Sequence, residues 1–345
     1  MKEYKIVVVG IGLVGKTLLR VLRERDFPAG SIKVLARRAR TEVVDGQEYE
    51  VVPASEEAFD GADIALFAGT EGEKGASTQF GWQAVERGCT VIDNGNDFRL
   101  DGRVPLVVPE VNADALKSHQ GFVANPNCST IQMVTALGPL HKVSRIRRIV
   151  VTTFQSVSGT GGSAVTELER QVQDVPAGKP ANPDNYPCPI FANVIPQIGG
   201  LKDAFPGYFS EEVKMLQETR KILDDPEIGV SATCVRVPVY YAHSEAINIE
   251  FEKPLSPEKA REILTAAEGI AVVDDPGNAK YPVPLDAEGK DDVFVGRIRQ
   301  DPSNPNALDL WCVADNIRKG AATNTVQIAE KMIEMGLIGE PPARR

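Results

Sequence analysis

Three histidines, His119, His141 and His243, and five cysteines are all the imidazole and thiol groups in this 345-residue chain, and none stands at ligand spacing from another. Zinc and similar ions are held by closely spaced pairs of such residues, so no metal site is expected. Cys89, Cys128, Cys188, Cys234 and Cys312 form no CxxC pair and are odd in number. A dispersed, odd set in a large chain reads as reduced thiols in a cytoplasmic protein, most of them small buried hydrophobes. No apolar run approaches the ~18 residues that cross a bilayer. The opening Met1-Lys2-Glu3-Tyr4 runs straight into a strand-like stretch, so no signal peptide is expected either. An excess of positive charge is also missing: 38 Lys and Arg against 48 Asp and Glu leave a formal charge of −10. That balance argues against nucleic acid or an anionic membrane as the main partner, and requires local arginines and lysines to gather any anionic ligand. Repeats and low-complexity tracts are absent as well.

What the chain does have is the composition of a globular protein, with 42% hydrophobic residues, and enough length for two domains. Short apolar runs at 6–9, 33–36, 64–67 and 90–92 alternate with helical patterns at 14–22 and 76–87. Strands that alternate with helices imply parallel pairing through right-handed crossovers, hence an open doubly wound sheet with ligands beyond the carboxyl ends of its strands. From about residue 145 longer β-type stretches take over, at 146–154, 230–239, 246–251, 293–298 and 308–313. Asp301-Pro302-Ser303-Asn304-Pro305 is a turn signal that predicts antiparallel pairing of the last two. Ser256-Pro257-Glu258 starts a helix, and residues 211–223 and 321–335 are helical in period. Residues 175–189, with five prolines, predict an irregular excursion. The expected architecture is α/β: residues 1–127 form a dinucleotide-type domain completed by the C-terminal helix 319–345, and residues 128–318 form a mixed α/β catalytic and dimerisation domain.

Two constellations carry chemistry. Gly10-Ile11-Gly12-Leu13-Val14-Gly15 follows a strand and opens a helix; its glycines permit a tight turn and close approach of a pyrophosphate to the helix N-terminus. When NAD is bound, an acidic residue usually ends the second strand and holds the ribose. Here Arg37-Arg38-Ala39-Arg40 stands there instead, so NADP is expected, with Arg37 and Arg38 on its 2′-phosphate. The second constellation is Asn125-Pro126-Asn127-Cys128-Ser129-Thr130, between a strand at 122–124 and an apolar helix at 131–140. A cysteine at a helix N-terminus favours its thiolate. It can attack an acyl phosphate or carbonyl and carry the product as a thioester.

Asn125-Pro126-Asn127-Cys128-Ser129-Thr130-Ile131-Gln132 resembles the nucleophile motif of the aspartate-semialdehyde dehydrogenases. The resemblance continues through Thr153-Phe154-Gln155-Ser156-Val157-Ser158-Gly159, Glu218-Thr219-Arg220-Lys221, Arg236-Val237-Pro238-Val239, His243-Ser244-Glu245 and Asp315-Asn316-Ile317-Arg318-Lys319-Gly320. It implies a Rossmann-type first domain and NADPH-dependent reduction of L-aspartyl 4-phosphate to aspartate 4-semialdehyde. That step lies on the routes to lysine, diaminopimelate, threonine, methionine and isoleucine. It further implies Cys128 as nucleophile, His243 as acid–base catalyst and Gln155 as the residue that orients the substrate beside the thiol. Arg236 would meet the α-carboxylate and Glu218 the ammonium, while Lys221, Arg99 and Asn94 would serve the phosphate. Ser158, Gly159 and Asn316 would touch the cofactor beside Gly10, Ile11, Gly12, Leu13, Val14 and Gly15. The implied assembly is a homodimer or a dimer of dimers. His243 is expected at a hairpin bend between two strands. Glu218, Lys221, Glu211 and Lys214 share a helix face that, read without the resemblance, would be a solvated stripe.

Departures from the family pattern cluster at the cofactor. The first glycine loop is one residue short, with Ile11 where a threonine is usual. Asn94-Gly95-Asn96-Asp97-Phe98-Arg99 and Ala68-Gly69-Thr70-Glu71-Gly72 replace hydroxyl-rich segments, so three hydroxyls are lost and two carboxylates, Glu71 and Asp97, are gained.

Overall fold

The chain divides into two compact units, Met1–Asn127 with Ala321–Arg345, and Cys128–Gly320. The computed structural model describes residues 2–69, 72 and 74–339; Thr70, Glu71 and the tail beyond residue 339 lie outside the described residues. In chain order the first unit holds β1 (Tyr4–Val9), α1 (Leu13–Glu24), β2 (Ala29–Ala36), β3 (Arg40–Val44), β4 (Gln47–Pro53), β5 (Ile64–Phe67), α2 (Ala76–Glu86), β6 (Thr90–Asp93), the short α3 (Pro109–Asn112) and β7 (Phe122–Ala124). They make one sheet in the order β3-β4-β2-β1-β5-β6-β7. Every pair in it is parallel except the edge hairpin β3–β4. The apolar run Ile6, Val7, Val8 and Val9 is buried throughout, as a parallel strand covered on both faces requires. The β3–β4 hairpin is not legible in hydrophobic runs, because its outer strand is largely polar. Its signal is Asp45-Gly46, both at positive φ (49° and 80°), the turn that suits a two-residue hairpin loop.

The second unit runs α4 (Cys128–Val143), β8 (Ile146–Gln155), α5 (Gly162–Asp174), α6 (Ser210–Ile222), β9 (Gly229–Arg236), β10 (His243–Phe251), α7 (Pro257–Thr265), β11 (Ile270–Val272), α8 (Pro284–Ala287), β12 (Val293–Gln300) and β13 (Ala307–Ala314). Its mixed sheet has the order β11-β12-β13-β10-β8-β9. Ile149, Val151, Ile247, Ile249, Leu308 and Leu310 on one face join Met133, Leu137 and Leu140 of α4 in a single apolar core. The turn at Asp301 is confirmed: its carboxylate accepts from Ser303 N (2.8 Å) and Oγ (2.6 Å), and β12 and β13 pair antiparallel. Ser256 caps α7 by accepting from Lys259 N at 3.2 Å. The proline-rich excursion is tied to α5, where the buried Glu167 accepts from Asn185 N (2.7 Å) and Gln171 Oε1 from Ile190 N (3.1 Å). The last described helix, α9 (Thr323–Glu334), is shorter than the expected 319–345, residues 335–339 being non-helical, and its Val326, Ile328, Ala329 and Met332 belong to the core of the first unit.

One expectation is corrected. His243 is not at a hairpin bend, because β9 and β10 do not pair: β9 lies parallel and β10 antiparallel to opposite edges of β8. The link 237–242 therefore crosses the end of β8. The alternating pattern before and after it identifies two strands but carries no information on which neighbour each one finds.

Candidate active site

Cys128 is the first residue of α4, whose opening turn contains no acidic side chain. The helix is apolar nearly all round and buried, so its position is set by the core, and Cys128 stands half-buried at its start. Three other thiols are buried. Burial raises Cys89 to about 11, and pushes Cys234 and Cys312 up further. Gly320 packs directly on the nucleophile candidate: a Cβ placed there would lie 2.8 Å from Cys128 Cβ.

The sheet brings three more candidates to one edge. Gln155 ends β8, its register partner Arg236 ends β9, and His243 begins β10, so all three stand at the same end of neighbouring strands. Gln155 Nε2 donates to Ser129 Oγ, next to Cys128, and to Glu211 Oε1 (3.0 Å) on α6. Arg236 is 5% exposed; its Nη1 donates to Ser156 O at 2.6 Å, and its Nε has no protein acceptor. No carboxylate forms an ion pair with it among the described residues. A Cβ on Gly159 would sit 3.0 Å from Arg236 Nη1 and 3.2 Å from His243 Nε2, so these two groups share the surface of one glycine.

His243 is fully buried. Burial, then the nearby Arg236 charge, lower its pKa to about 3 against the opposing pull of Glu211. Its Nδ1 accepts from Ser156 N (3.0 Å) and contacts Ser156 Oγ (2.9 Å). Asn316 Oδ1 accepts from Ser156 Oγ (3.0 Å) and Ala242 N (3.0 Å), and Asn316 Nδ2 donates to Ser158 Oγ (3.0 Å). The side chains of Ser158 and Asn316 thus face one another and the Ser156 hydroxyl that contacts the imidazole.

The solvated-stripe reading of α6 is overturned. Glu211 and Glu218 are 7% and 1% exposed, and Lys214 and Lys221 are partly buried. The face packs inward, and the strand end at Gln155 offers Glu211 a polar partner there (3.0 Å), which helical period alone cannot reveal.

In the first unit, Gly10 (φ 98°) makes the tight turn after β1, and a Cβ on Gly15 would overlap Gly10 O at 2.1 Å. Gly12 caps α1 with no side chain bonded to it and with open space where a Cβ would be. The helix N-terminus therefore keeps room for an anion. Ile11 and Val14 pack on the core, so the isoleucine at the usual threonine position is held by burial. Arg37 and Arg38 follow β2 and are exposed. Asp97 accepts from Gly72 N (3.1 Å) and Thr78 Oγ1 (3.3 Å), which ties its carboxylate to its own unit. Asn94 donates to Phe67 O (2.8 Å) and accepts from Asn125 and Thr325 (3.0 Å each), and the buried Arg99 donates to Asn94 O at 2.7 Å. Asp93, buried and raised to about 6 by desolvation, accepts from Ser77 Oγ and Gly95 N at the start of this loop.

Ser156, Glu211, Gly320 and Asp93 are supporting residues to which the sequence assigns no role, Glu211 figuring only in the polar face of α6. The first and third lie inside quoted motifs, but nothing in a motif says which member touches the imidazole or the thiol.

A dinucleotide-type parallel sheet paired with a mixed α/β unit bearing a helix-start cysteine and a buried histidine is the build of a two-domain oxidoreductase. Residues 5–119 match the semialdehyde dehydrogenase NAD-binding domain, and residues 137–319 the semialdehyde dehydrogenase dimerisation domain. The chain is 48% identical to the aspartate-semialdehyde dehydrogenase of Aquifex aeolicus, over 97% of this chain and 99% of that protein, and 44% identical to that of Bacillus subtilis over 96% and 98%. A crystal structure of aspartate semialdehyde dehydrogenase II from Vibrio cholerae complexed with ASA superposes with a TM-score of 0.92, at 42% identity and over 97% and 99% of the two chains. The chain belongs to the aspartate-semialdehyde dehydrogenase family, whose members are oxidoreductases of amino-acid biosynthesis.

Proposed function

We propose that this protein reduces L-aspartyl 4-phosphate to L-aspartate 4-semialdehyde with NADPH, through a thioester on Cys128. The step would serve lysine, diaminopimelate, threonine, methionine and isoleucine synthesis in the cytoplasm. The observation that carries the substrate reading is Arg236, a buried guanidinium with no carboxylate paired to it among the described residues. Burying a charge without a partner is costly, and a ligand carboxylate held bidentately offsets that cost. Glu218 on α6 is the acidic counterpart for an ammonium group. Together they call for an amino acid and disfavour a sugar phosphate or an N-acylated substrate. The V. cholerae relative complexed with ASA supports the same class of ligand.

Cys128 Sγ attacks the acyl carbon, the carbon–oxygen bond to phosphate breaks, and the thiol proton passes through His243 to the leaving phosphate. Gln155, fixed between Ser129 and Glu211, orients the carbonyl beside the sulfur. Lys221, Arg99 and Asn94 are assigned to the phosphate. The open helix start at Gly12 and the tight turn at Gly10 suit a pyrophosphate contacted by Ile11, Leu13, Val14 and Gly15. The exposed Arg37 and Arg38 suit a 2′-phosphate, and Ser158, Gly159 and Asn316 the nicotinamide end. When bound, NADPH supplies the hydride that releases the aldehyde and returns the cysteine. The dimerisation-domain match supports a homodimer, or a dimer of dimers, as the working form.

The test is the reverse reaction: appearance of NADPH absorbance with aspartate semialdehyde, NADP and phosphate, run beside glyceraldehyde 3-phosphate. Phosphate-dependent turnover of the first alone is expected. Preference for the sugar phosphate, or turnover without phosphate, overturns the assignment.

A further inference from the structure

The hydrogen bonds around His243 raise a question of tautomer. A backbone N–H can only donate, so the Ser156 N–H at 3.0 Å requires a lone pair on Nδ1 and places the proton of the neutral ring on Nε2. In that form the ring can donate at Nε2 but cannot accept the thiol proton there. Accepting it requires the other tautomer, with the proton on Nδ1, and that proton needs an acceptor. Ser156 Oγ, 2.9 Å away, is the group in place to provide one.

Whether the hydroxyl can accept depends on where its own proton goes. Asn316 Oδ1 lies 3.0 Å from Ser156 Oγ. The Ala242 N–H at 3.0 Å fixes that atom as the amide oxygen, while Ser158 Oγ lies within reach of Asn316 Nδ2 (3.0 Å), Asn316 Oδ1 (3.2 Å) and Ser156 Oγ (3.1 Å). Ser156, Ser158 and Asn316 are 0%, 2% and 2% exposed, so no bulk water competes for these bonds.

We propose that Ser156 is a positioning residue that lets His243 pass between tautomers: its N–H holds the Nε2-protonated ring, and its hydroxyl, oriented by Asn316, accepts the Nδ1 proton of the other form, offsetting the loss of that N–H bond. The proposal rests on His243 as the acid–base group. In the second tautomer Nε2 takes the Cys128 thiol proton while the other proton remains on Nδ1, donated in a hydrogen bond to Ser156 Oγ. Nε2 then delivers its proton to the departing phosphate oxygen, and the ring is neutral again. The charged groups that face the ring are Arg236, which opposes the transient cation, and Glu211, which favours it.

The experiment is ¹⁵N NMR of the full-length protein labelled in histidine, with Ser156→Ala, Ser156→Thr and His243→Gln. Only three histidines are present, so the His243 signals are assigned by their loss in His243→Gln. The wild type and Ser156→Thr should show nitrogen shifts averaged between the two neutral tautomers, and Ser156→Ala the Nε2-protonated shifts alone. Iodoacetamide alkylation of Cys128 and turnover should both fall by ~10²-fold in Ser156→Ala, the scale of a lost general base, and recover in Ser156→Thr. A wild type fixed in the Nε2-protonated form at every pH overturns the proposal, and this needs no variant. So does an Ala variant whose tautomer mixture is unchanged. If His243→Gln keeps full turnover, the acid–base reading fails instead, while the NMR result still decides the tautomer assignment.

Discussion

Replacing Gly320 with alanine tests the idea that Cys128 owes its position to close packing. An added Cβ would stand 2.8 Å from Cys128 Cβ and 3.3 Å from its Cα. Carbon atoms rest at about 3.5–4.0 Å, so the two groups must part by roughly 0.7–1.2 Å. The segment carrying Gly320 is poorly placed to give way. Its N–H donates to Asp315 O (3.0 Å), and the Asp315 carboxylate accepts from the N–H groups of Ile317, Arg318 and Gly289 at 2.8, 3.0 and 2.8 Å. Arg318 is in turn paired with Asp291 at 2.8 Å. The thiol is therefore expected to absorb most of the shift. Overpacking of this kind costs ~1–3 kcal/mol of stability, and a displacement near 1 Å at a reacting atom costs ~10²-fold in rate. Initial rates at a temperature where circular dichroism reports a fully folded variant separate the two effects. Turnover should drop ~10²-fold, with a parallel slowing of Cys128 alkylation. Loss of stability with unchanged kcat would show that the 318–322 turn recedes instead and that the nucleophile is located by α4 alone.

Cys128→Ser should abolish turnover while leaving NADPH binding intact, since a serine hydroxyl stays protonated; and iodoacetamide should label Cys128 well before the buried Cys89, Cys234 and Cys312 by mass spectrometry. Ordinary turnover, or prior labelling of a buried thiol, contradicts the assignment. Arg37→Ala with Arg38→Ala should weaken NADPH by ~1.5–3 kcal/mol per lost phosphate contact and leave NADH nearly unaffected, as read from paired titrations; equal losses would place the arginines elsewhere than the 2′-phosphate. His243 sits well below its ordinary 6.5 in the folded state, so unfolding takes up a proton: the stability it contributes is complete above pH 6.5 and is lost as pH falls from there toward 3, by up to ~1.4 kcal/mol per pH unit. Urea unfolding at pH 7, 6, 5 and 4 should show that slope in the wild type and a shallower one in His243→Gln. Parallel curves would mean the ring is not held neutral by burial.

Much was legible in the sequence because it is written in local terms. Apolar runs of strand length at 64–67 and 122–124 are strands of those bounds, since β-branched and aromatic residues in short runs between turn signals leave little alternative. The glycine spacing after β1 required a tight turn before a helix, and Asn127-Cys128 marked a helix start. What the tertiary structure alone decided is which polar groups are buried and whom they meet. Helical period placed Glu211 and Glu218 on one face but could not say whether that face met water or the ends of β8 and β9. Strand alternation found β9 and β10 without showing that β8 lies between them. The supports of the site join residues far apart in the chain: Gln155 to Glu211, Ser156 to His243, and Ser156 to Asn316, separated by 56, 87 and 160 residues. Local propensity does not extend over such distances, and only the packing of the second unit around β8 and α4 brings those atoms within hydrogen-bonding range.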